Sequence, residues 1–323
     1  MITLPDFQKK QIAVVFFNEG EKMAIHNDNF VVRDKEGKIK LQCTCYRLFL
    51  VFAVGQFSIT SAVIQNTKKY GFFIACVSAT FRLNSIIGDG KEGNTLIKKK
   101  QYGYSGASIA RQIVRNKLMN QRLQLMRVRY KNEAIKECIS AIDRYLDALQ
   151  EELTLNELMA YEGLAAKQYF KNHFNNVLWQ GRQPRLKRDY VNTVLDLGYS
   201  LLFTFVDCIA QCFGFDTYVG VLHQQFYLRK SLVCDLVEPF RVIIDAQIKK
   251  ALNLRQIKED DCVLLNHRYA VKYECSAKYA KLFMTAILDH RDDIFSYIRQ
   301  FYIAFMKDKP GDEFPIFLWE GTS

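Results

Sequence analysis

The sequence predicts an α+β protein in which a small, mostly β N-terminal domain precedes a larger all-α domain. Short apolar runs separated by turn residues fill the first eighty or so positions, as is typical of strands. After Ser108 the apolar residues recur at helical spacing, and a glycine-rich stretch lies between the two patterns. We therefore expect a β-domain at 1–87, a linker at 88–106 and a helical domain at 107–323.

The elements of the N-terminal domain follow from apolar runs and turn residues. Ser58 is a candidate cap for a helix over 59–70, with Ile59, Val63 and Ala62 facing inward, and Gly71 is expected to end it. The predicted strands are 11–17, 48–54 and 72–77.

The second domain is predicted to be helical almost to its end. A helix is expected to start after Ser108, and a helix-breaking segment at 307–312 is expected to leave the end of the chain loose. The further predicted helices are 131–152, 155–172, 190–212, 230–252 and 277–306.

The charge of the chain favours a polyanionic partner. Its 323 residues carry a formal net charge of +11, and positions 98–131 hold ten Lys or Arg without an Asp or Glu. A solvated basic helix is the simpler interpretation, but a run of this density indicates nucleic acid. Four arginines spaced by four, seven and seven fall on one helical face, which suits a phosphate backbone. They are Arg111, Arg115, Arg122 and Arg129.

The cysteines and the apolar runs indicate a soluble, cytoplasmic protein. There are nine cysteines, an odd number, and no C-x-x-C pair, so reduced thiols are expected. The first ten residues lack an apolar core of signal-peptide length. The most apolar run, 199–213, is interrupted by Asp207 and is too short to span a bilayer, so no membrane association is expected.

Glu162 is the first candidate functional residue. It shares a predicted helical face with Leu158, Ala165 and Tyr169, where a carboxylate is costly unless it is paired. A salt bridge to a neighbouring helix is one explanation. The adjacent Gly163 and the small residues that follow it favour a second one, in which a substrate approaches the helix closely.

Asp235 and Glu238 form a second acidic pair. On a helix the two side chains point the same way, and their charges repel unless a cation lies between them. Pro239 is expected to bend this helix or to start a new one. The alternative is an ordinary charge network in which Arg241 neutralises Glu238 and reaches Asp245.

His223 completes the candidate set, because it lies between a predicted loop and the helix that bears the two acids. A lone histidine is more often a hydrogen-bonded structural residue than a ligand. Two carboxylates and one imidazole around a cation would nevertheless form a site for phosphodiester chemistry. No Walker loop, H-E-x-x-H or G-x-S-x-G motif is present, and no role is assigned to the other histidines, which are His26, His173, His267 and His290.

Taken together, these motifs resemble the CRISPR-associated adaptation integrase and endonuclease family, Cas1. The similarity rests on Met-x-x-Glu-Gly-x-Ala-Ala-x-x-Tyr-Phe at 159–170 and on Ser-Leu-x-x-Asp-Leu-x-Glu-Pro-Phe-Arg at 231–241. Supporting blocks are Asp-x-Val-Asn at 189–192, Leu-x-x-Gly-Tyr-x-Leu-Leu at 195–202 and Gly-x-Leu-His at 220–223. The sequence departs from the family at Ala160, where glycine is frequent, and at Lys187 and Arg188, where two prolines are frequent.

The resemblance implies a metal site. Carried over by motif position, Glu162, His223 and Glu238 become ligands of a divalent ion, and Asp235 becomes a supporting acid. Hard oxygen donors with one imidazole favour Mg²⁺ or Mn²⁺ over structural zinc. The implied reaction is attack of a DNA 3′-hydroxyl on a phosphodiester at the edge of a repeat, which inserts a short fragment into a CRISPR array.

The resemblance also implies partners. These are double-stranded DNA with 3′ single-stranded ends, repeat DNA, a second copy of the chain bound partly through the N-terminal domain, and a dimer of the small protein Cas2. Two other functions stay open. One is a non-catalytic DNA-binding scaffold, and the other is a transposase-like, casposase-type integrase that is not tied to an array.

Overall fold

The structure is a computed structural model that describes residues 2–79, 82–88, 90–91, 93–174, 179, 181–183 and 186–321. The chain forms two compact units. Unit 1 comprises Met1–Asn94 and Asp207–Phe215, and unit 2 comprises Thr95–Val206 and Asp216–Ser323. A helix at Thr95–Gly103 occupies part of the predicted linker, and the predicted domain limits stay a prediction.

In the described part of unit 1, eight strands form two four-stranded sheets, with the orders β1-β5-β7-β8 and β4-β3-β2-β6. This confirms the mostly β character predicted for the N-terminal region. The helices of this region are α1 (Leu4–Gln8) and α2 (Ser61–Tyr70). The strands are β1 (Gln11–Phe17), β2 (Lys22–His26), β3 (Asn29–Arg33), β4 (Ile39–Thr44), β5 (Leu48–Gly55), β6 (Ser58–Ile59), β7 (Phe73–Val77) and β8 (Leu83–Ile87).

Strand β5 is the centre of the first sheet. It pairs in parallel with β1 on one side and with β7 on the other, and each of its residues from Leu48 to Val54 is buried. A continuous apolar run, rather than an alternating one, is typical of a strand that is covered on both faces. Val51 and Ala53 belong to the main core cluster, which also includes Phe17, Met23 and Phe30.

The prediction that Ser58 caps α2 is wrong. The backbone of Ser58 pairs with β2 as part of β6, so the helix begins later, with Thr60 at its N-cap position. Val63 is buried as predicted, whereas Ala62 is exposed. Gly71 ends the helix at φ +67, and its N–H donates to the Thr67 carbonyl oxygen at 2.9 Å. This left-handed residue favours glycine because a Cβ would crowd the backbone.

In the described part of unit 2 the regular elements are helices and one two-stranded hairpin, which confirms the predicted helical region. Its helices are α3 (Thr95–Gly103), α4 (Ser108–Met126), α5 (Glu133–Ala148), α6 (Leu155–His173), α7 (Tyr190–Cys212), α8 (Ser231–Val237), α9 (Arg241–Asn253), α10 (Tyr273–Asp289) and α11 (Arg291–Met306). The last residues of α7 belong to unit 1. Helix α4 packs against α5, α6 and α9 and positions the candidate site.

Two of the predicted helices are interrupted. The helix expected over 230–252 breaks at a 3₁₀ turn, Glu238–Phe240, because Pro239 lacks the N–H that a continuous helix needs. The helix expected over 277–306 is two helices that meet at His290, whose ψ of 15° departs from helical geometry. The first break matters for function, since it sets the direction of Glu238.

A short antiparallel hairpin in unit 2 was absent from the prediction. Strands β9 (Cys262–Leu265) and β10 (Arg268–Val271) are joined by Asn266 and His267, both with positive φ. Asn-Gly is the usual signature of such a two-residue turn, and Asn-His carries a weaker signal. The all-α description therefore fails at this hairpin.

The prediction of a loose C-terminal end is also wrong. The final segment lies along α4, where Asn116 donates to the Phe317 carbonyl oxygen at 2.6 Å and accepts from the Phe317 N–H at 2.9 Å. Asn120 donates to the carbonyl oxygens of Phe317 and Pro239, each at 2.9 Å. The tail is thus tied both to α4 and to the turn that carries Glu238. The amide side chains of α4 that bind it are spaced by four residues: Gln112, Asn116, Asn120 and Gln124.

Helix α7 is long and apolar enough to cross a membrane by length and composition, unlike the shorter run considered in the sequence. In its most apolar window, 83% of the residues are buried inside the protein. Such burial is the pattern of a core helix, and it explains the apolar composition without a lipid environment.

No disulfide joins any two of the nine cysteines, all of which lie in the described part of the chain. Burial raises the pKa of Cys43, Cys234 and Cys262 to about 11. These thiols are therefore poor nucleophiles and poor metal ligands near neutral pH.

Candidate active site

Three elements of unit 2 bring two carboxylates onto one ammonium group. Glu162 lies on α6 and Glu238 on the 3₁₀ turn, while Lys117 lies on α4 between them. The Nζ atom of Lys117 bonds Glu162 Oε1, and it lies 2.6 Å from Glu238 Oε2. Both acids predicted from the sequence thus meet at one point, and the salt bridge considered as an alternative for Glu162 is present.

The environment of Glu238 keeps its carboxylate ionised. Burial opposes the charge, but the nearby Arg241 and Lys117 outweigh it and lower the pKa of Glu238 to about 2. Arg241 Nε lies 2.9 Å from Glu238 Oε2, as the alternative network predicted. Oε2 thus lies between two cations that offset its charge, and a metal ion at this oxygen would have to compete with them.

His223 is held in place by Asp235. Its Nδ1 donates to Asp235 Oδ1 at 2.7 Å, and the backbone N–H groups of Val221, Leu222 and His223 also donate to this fully buried carboxylate. A Cβ at Gly220 would lie 2.6 Å from Asp235 Oδ2, so the loop requires glycine there. Since Nδ1 is engaged, Nε2 is the nitrogen that can face a ligand.

The site is open on one side. The side chain of Glu162 is 26% exposed and that of His223 is 29% exposed, whereas Glu238 and Asp235 are buried. A Cβ added at Gly163 would meet nothing within 4 Å. The buried acids are therefore structurally fixed, and the two exposed groups are the ones that a bound molecule reaches.

A second buried network supports Arg241. Its guanidinium lies 4.7 Å from the ring centroid of Tyr199, whose hydroxyl donates to Asp245 Oδ1 at 2.5 Å. Tyr199 is thus the hydrogen-bond donor to Asp245, while the charge of Arg241 acts on the same carboxyl and favours its ionised form. Burial raises the pKa of Asp245 to about 6, against the hydrogen bond from Tyr199.

The donor set fits a divalent ion in chemistry but is not preformed. Two ionised carboxylates and an imidazole with a free Nε2 are suitable ligands for Mg²⁺ or Mn²⁺. Within the described residues, no three His, Cys, Asp or Glu side chains are arranged to hold a metal ion. Lys117 lies at the point where the two carboxylates converge, so a metal ion bound by both would have to displace its ammonium group.

The predicted row of arginines is wrong in its last member. Helix α4 ends at Met126, so Arg129 lies beyond it. Arg115 is exposed, while Arg122 bonds Asp143 on α5 and is partly neutralised. Arg111 is partly buried and donates to the Glu151 carbonyl oxygen at 3.4 Å. Their role in DNA binding stays a prediction.

Lys117 is the functional residue that the sequence reasoning missed. It follows Ile113 by four positions and precedes Leu118 by one, so it belongs to the buried stripe of α4. A lysine on such a stripe is rarely buried without an acidic partner. That signal could have identified it, although the acids that pair with it lie 45 and 121 positions further along the chain.

In this protein two sheets are followed by a helical unit. That unit carries a cluster of two acids, a histidine and two basic side chains, and this combination defines the class of the protein. The family model for the CRISPR associated protein Cas1 matches residues 14–285. That match covers more than half of the chain, and the protein belongs to the Cas1 family.

Curated relatives carry the same family name. The CRISPR-associated endonuclease Cas1 of Leptospira interrogans is 35% identical over 179 residues, which are 51% of this chain and 70% of the relative. A CRISPR-associated endonuclease Cas1 of Archaeoglobus fulgidus is 25% identical over 305 residues, which are 84% of this chain and 86% of the relative.

Solved structures share the fold. A Cas1 protein from Thermotoga maritima superimposes with a TM-score of 0.78 at 17% identity, over 96% of this chain and 100% of the other. A casposase bound to an integration product gives 0.73 at 18% identity, over 93% and 91%. A Cas6-RT-Cas1–Cas2 complex gives 0.81 at 19% identity, and the match spans 98% of this chain but 36% of that one. At these identities the likeness concerns the fold alone.

Proposed function

We propose that the protein is a metal-dependent DNA integrase and endonuclease that inserts short DNA fragments into a CRISPR array. The observation that carries the proposal is the convergence of Glu162 and Glu238 on one cation, beside a histidine oriented by Asp235. The family name of the relatives, CRISPR-associated endonuclease, supports the same reaction class.

The implied ligands are Glu162, His223 and Glu238, and the implied ion is Mg²⁺ or Mn²⁺. Such an ion, when bound, polarises a phosphoryl oxygen and lowers the pKa of an attacking hydroxyl group. Glu238 supplies a carboxylate that stays ionised, because its pKa is about 2. Asp235 orients the ring of His223 so that Nε2 can face the ion. Asp235 keeps its four hydrogen bonds in this role.

The proposed reaction is a transesterification. The oxygen of a DNA 3′-hydroxyl forms a bond to phosphorus at the edge of a repeat, and the bond from phosphorus to the displaced strand breaks. The attacking hydroxyl loses a proton, and the displaced strand leaves with a new 3′-hydroxyl. Arg241, which lies beside Glu238, is placed to offset the negative charge that gathers on the phosphoryl oxygens.

The proposed partners follow from charge and from the named relatives. A net charge of +11 and the basic segment 98–131 favour DNA, in the form of a duplex with 3′ single-stranded ends and of repeat DNA. The solved relatives include a complex with Cas2, which supports a Cas2 dimer as partner. We extend the proposal to a homodimer formed partly through unit 1, to a cytoplasmic location and to the absence of membrane binding.

A strand-joining assay with purified protein, a labelled duplex, a repeat-bearing plasmid and Mn²⁺ tests the proposal. Glu162→Ala or His223→Ala should reduce joining at least about 100-fold, since each removes a ligand, while duplex binding stays within about twofold. The matched controls Glu137→Ala and His26→Ala replace exposed side chains and should keep wild-type joining.

Retained joining in Glu162→Ala would overturn the proposed metal site; joining that comes from a contaminant would leave the non-catalytic scaffold as the interpretation. A casposase-type integrase is a second candidate, because the fold matches a casposase with a TM-score of 0.73. Joining into plasmids without a repeat, at the same rate as into the repeat, would favour it. An array and a Cas2 gene beside the coding sequence would favour the first proposal.

A further inference from the structure

Three consecutive apolar side chains project into solvent immediately after the candidate site. Phe226 is 70% exposed, Tyr227 is 85% exposed and Leu228 is 75% exposed. They lie on the loop Gln224–Lys230, which starts one residue after His223. Removal of each from water would be favourable, so three in succession indicate a contact surface rather than a failure of packing.

The loop has a defined shape. Arg229 and Ser231 both donate to the Gln224 carbonyl oxygen, and the Arg229 N–H donates to the Phe226 carbonyl oxygen at 3.0 Å. Leu228 adopts φ +58, a left-handed conformation that disfavours a branched side chain. Strain of this kind persists only where the surroundings enforce it and is frequent at ligand-binding segments.

Basic and aromatic side chains lie close together at this loop. The guanidinium of Arg229 lies 5.7 Å from the ring centroid of Phe226, and the ammonium of Lys230 lies 5.8 Å from that of Tyr218. Tyr218 is itself 45% exposed. No Asp or Glu occurs between Tyr218 and Asp235. Aromatic faces beside positive charge are the combination that binds single-stranded nucleic acid, since bases stack on the rings and phosphates meet the cations.

The base of the loop is fixed to the candidate site. Asp235 accepts hydrogen bonds from the N–H groups of Val221 and Leu222 and from the Nδ1 of His223. The aromatic side chains therefore follow the imidazole by only three and four positions along a chain that is anchored at its base. A strand whose end lies at His223 would place its neighbouring bases against this loop.

We propose that Gln224–Lys230 is a stacking platform for the unpaired bases of a DNA strand whose end lies in the active site. Phe226 and Tyr227 provide the faces on which the bases stack, and Arg229 and Lys230 meet the adjacent phosphates. This inference rests on the proposed function, because it assigns a role to a strand end at that site. An anionic membrane is the competing ligand for an apolar loop with positive charge.

The test compares a duplex with a 3′ overhang and a blunt duplex of the same sequence, both in chelator so that no strand joining occurs. An overhang base is replaced by 2-aminopurine, whose fluorescence falls when it stacks on an aromatic ring. Wild-type protein should quench this fluorescence. The double variant F226A/Y227A should lose the quenching and bind the overhang at least about tenfold more weakly, with less than a twofold change for the blunt duplex.

Two further variants keep the test specific. F226Y/Y227F retains both rings and should behave as wild type. L264A/Y273A removes comparable exposed apolar surface elsewhere in unit 2 and should also behave as wild type. All the replaced side chains are exposed, so the melting temperature should change little in any variant.

Absence of quenching by the wild type would overturn the platform, and so would an equal loss of overhang and blunt binding in F226A/Y227A. Binding of anionic vesicles that F226A/Y227A abolishes, with overhang binding unchanged, would assign the loop to a membrane instead. The proposed function fails separately. If the wild type quenches the fluorescence but never joins strands in Mn²⁺, the platform stands and the proposed function is wrong. If F226A/Y227A quenches and joins normally, the platform is wrong and the proposed function stands.

Discussion

Lys117 determines how the two carboxylates of the candidate site lie together. Its side chain is buried, and a buried ammonium is stable there because Glu162 and Glu238 share it. Burial opposes its charge, but these acids prevail and raise the pKa of Lys117. Both acids consequently converge on one ammonium group.

Lys117→Gln should destabilise the protein in chelator and make its stability depend on metal. Loss of the ammonium leaves two acids in contact, and removal of one partner of a buried pair costs about 3 kcal/mol. Mn²⁺ should then raise the melting temperature of this variant more than that of the wild type, because the ion replaces the missing charge. Calorimetry with and without Mn²⁺ measures this difference.

Lys136→Gln is the control for this substitution, since Lys136 forms an exposed pair with Glu133 and should show little change. An equal effect of Mn²⁺ on wild type and Lys117→Gln would show that the ion does not take the place of the ammonium group.

His173 and Asp245 make opposing contributions to the pH dependence of stability. Burial lowers the pKa of His173 to about 4, and burial raises that of Asp245 to about 6. Below pH 6.5 the unfolded chain protonates His173 and the folded protein does not, so acidification destabilises the fold. Between pH 6 and 3.8 the folded protein protonates Asp245 and the unfolded chain does not, so acidification stabilises it. The two effects therefore oppose each other between about pH 6 and 4.

Asp245→Asn should expose the contribution of His173. The free energy of unfolding of this variant should fall by about 2 kcal/mol more than that of the wild type between about pH 6.5 and 4.5. Urea titration at the two pH values measures the difference. Asp147→Asn replaces an exposed acid on α5 and should follow the wild type. Parallel curves for Asp245→Asn and wild type would contradict the assigned shifts.

Helix α4 is the element that integrates unit 2. One face carries Lys117 to the acids, another binds the C-terminal tail through amides spaced by four residues, and a third presents arginines to solvent. The tail and the turn that bears Glu238 share the side chain of Asn120. The position of Glu238 thus depends on interactions made by the last residues of the chain.

The solvent face of α4 should bind DNA without sequence preference. Replacement of Arg111 and Arg115 by Gln should weaken binding of any duplex and make the slope of log affinity against log salt shallower, by about 1 for each phosphate that is no longer neutralised. We select this pair because Arg122 is already bonded to Asp143. Fluorescence anisotropy at several salt concentrations gives the slope.

Replacement of Arg144 and Arg299 by Gln gives a control with the same change of net charge elsewhere on unit 2. An unchanged slope in the Arg111 and Arg115 variant would assign this face of α4 to solvent alone.

For the whole molecule, the predictable parts are those encoded locally. Apolar runs placed β1 and β5, the residues Tyr190–Cys212 matched α7, and Pro239 marked the break before α9. The sequence motifs at 159–170, 220–223 and 231–241 made four candidate residues recognisable as a set: Glu162, His223, Asp235 and Glu238. The orientation of His223 by Asp235 needed only a twelve-residue loop to close.

The parts that escaped prediction depend on interactions between distant segments. Lys117 gains its role from acids on two other elements, and the amides of α4 gain theirs from a tail about 200 residues away. Ser58 failed as a cap because β2 captured its backbone. Periodicity reports which face of an element is apolar, and it carries no information on which distant polar group will meet that face.

A crystal structure of the protein grown with Mn²⁺ tests the central claim most directly. The anomalous difference map should show one ion within about 2.5 Å of Glu162, Glu238 and the Nε2 of His223, with the ammonium of Lys117 displaced from the two carboxylates. Absence of anomalous density at these side chains, with Lys117 still bound to both acids at saturating Mn²⁺, would contradict it.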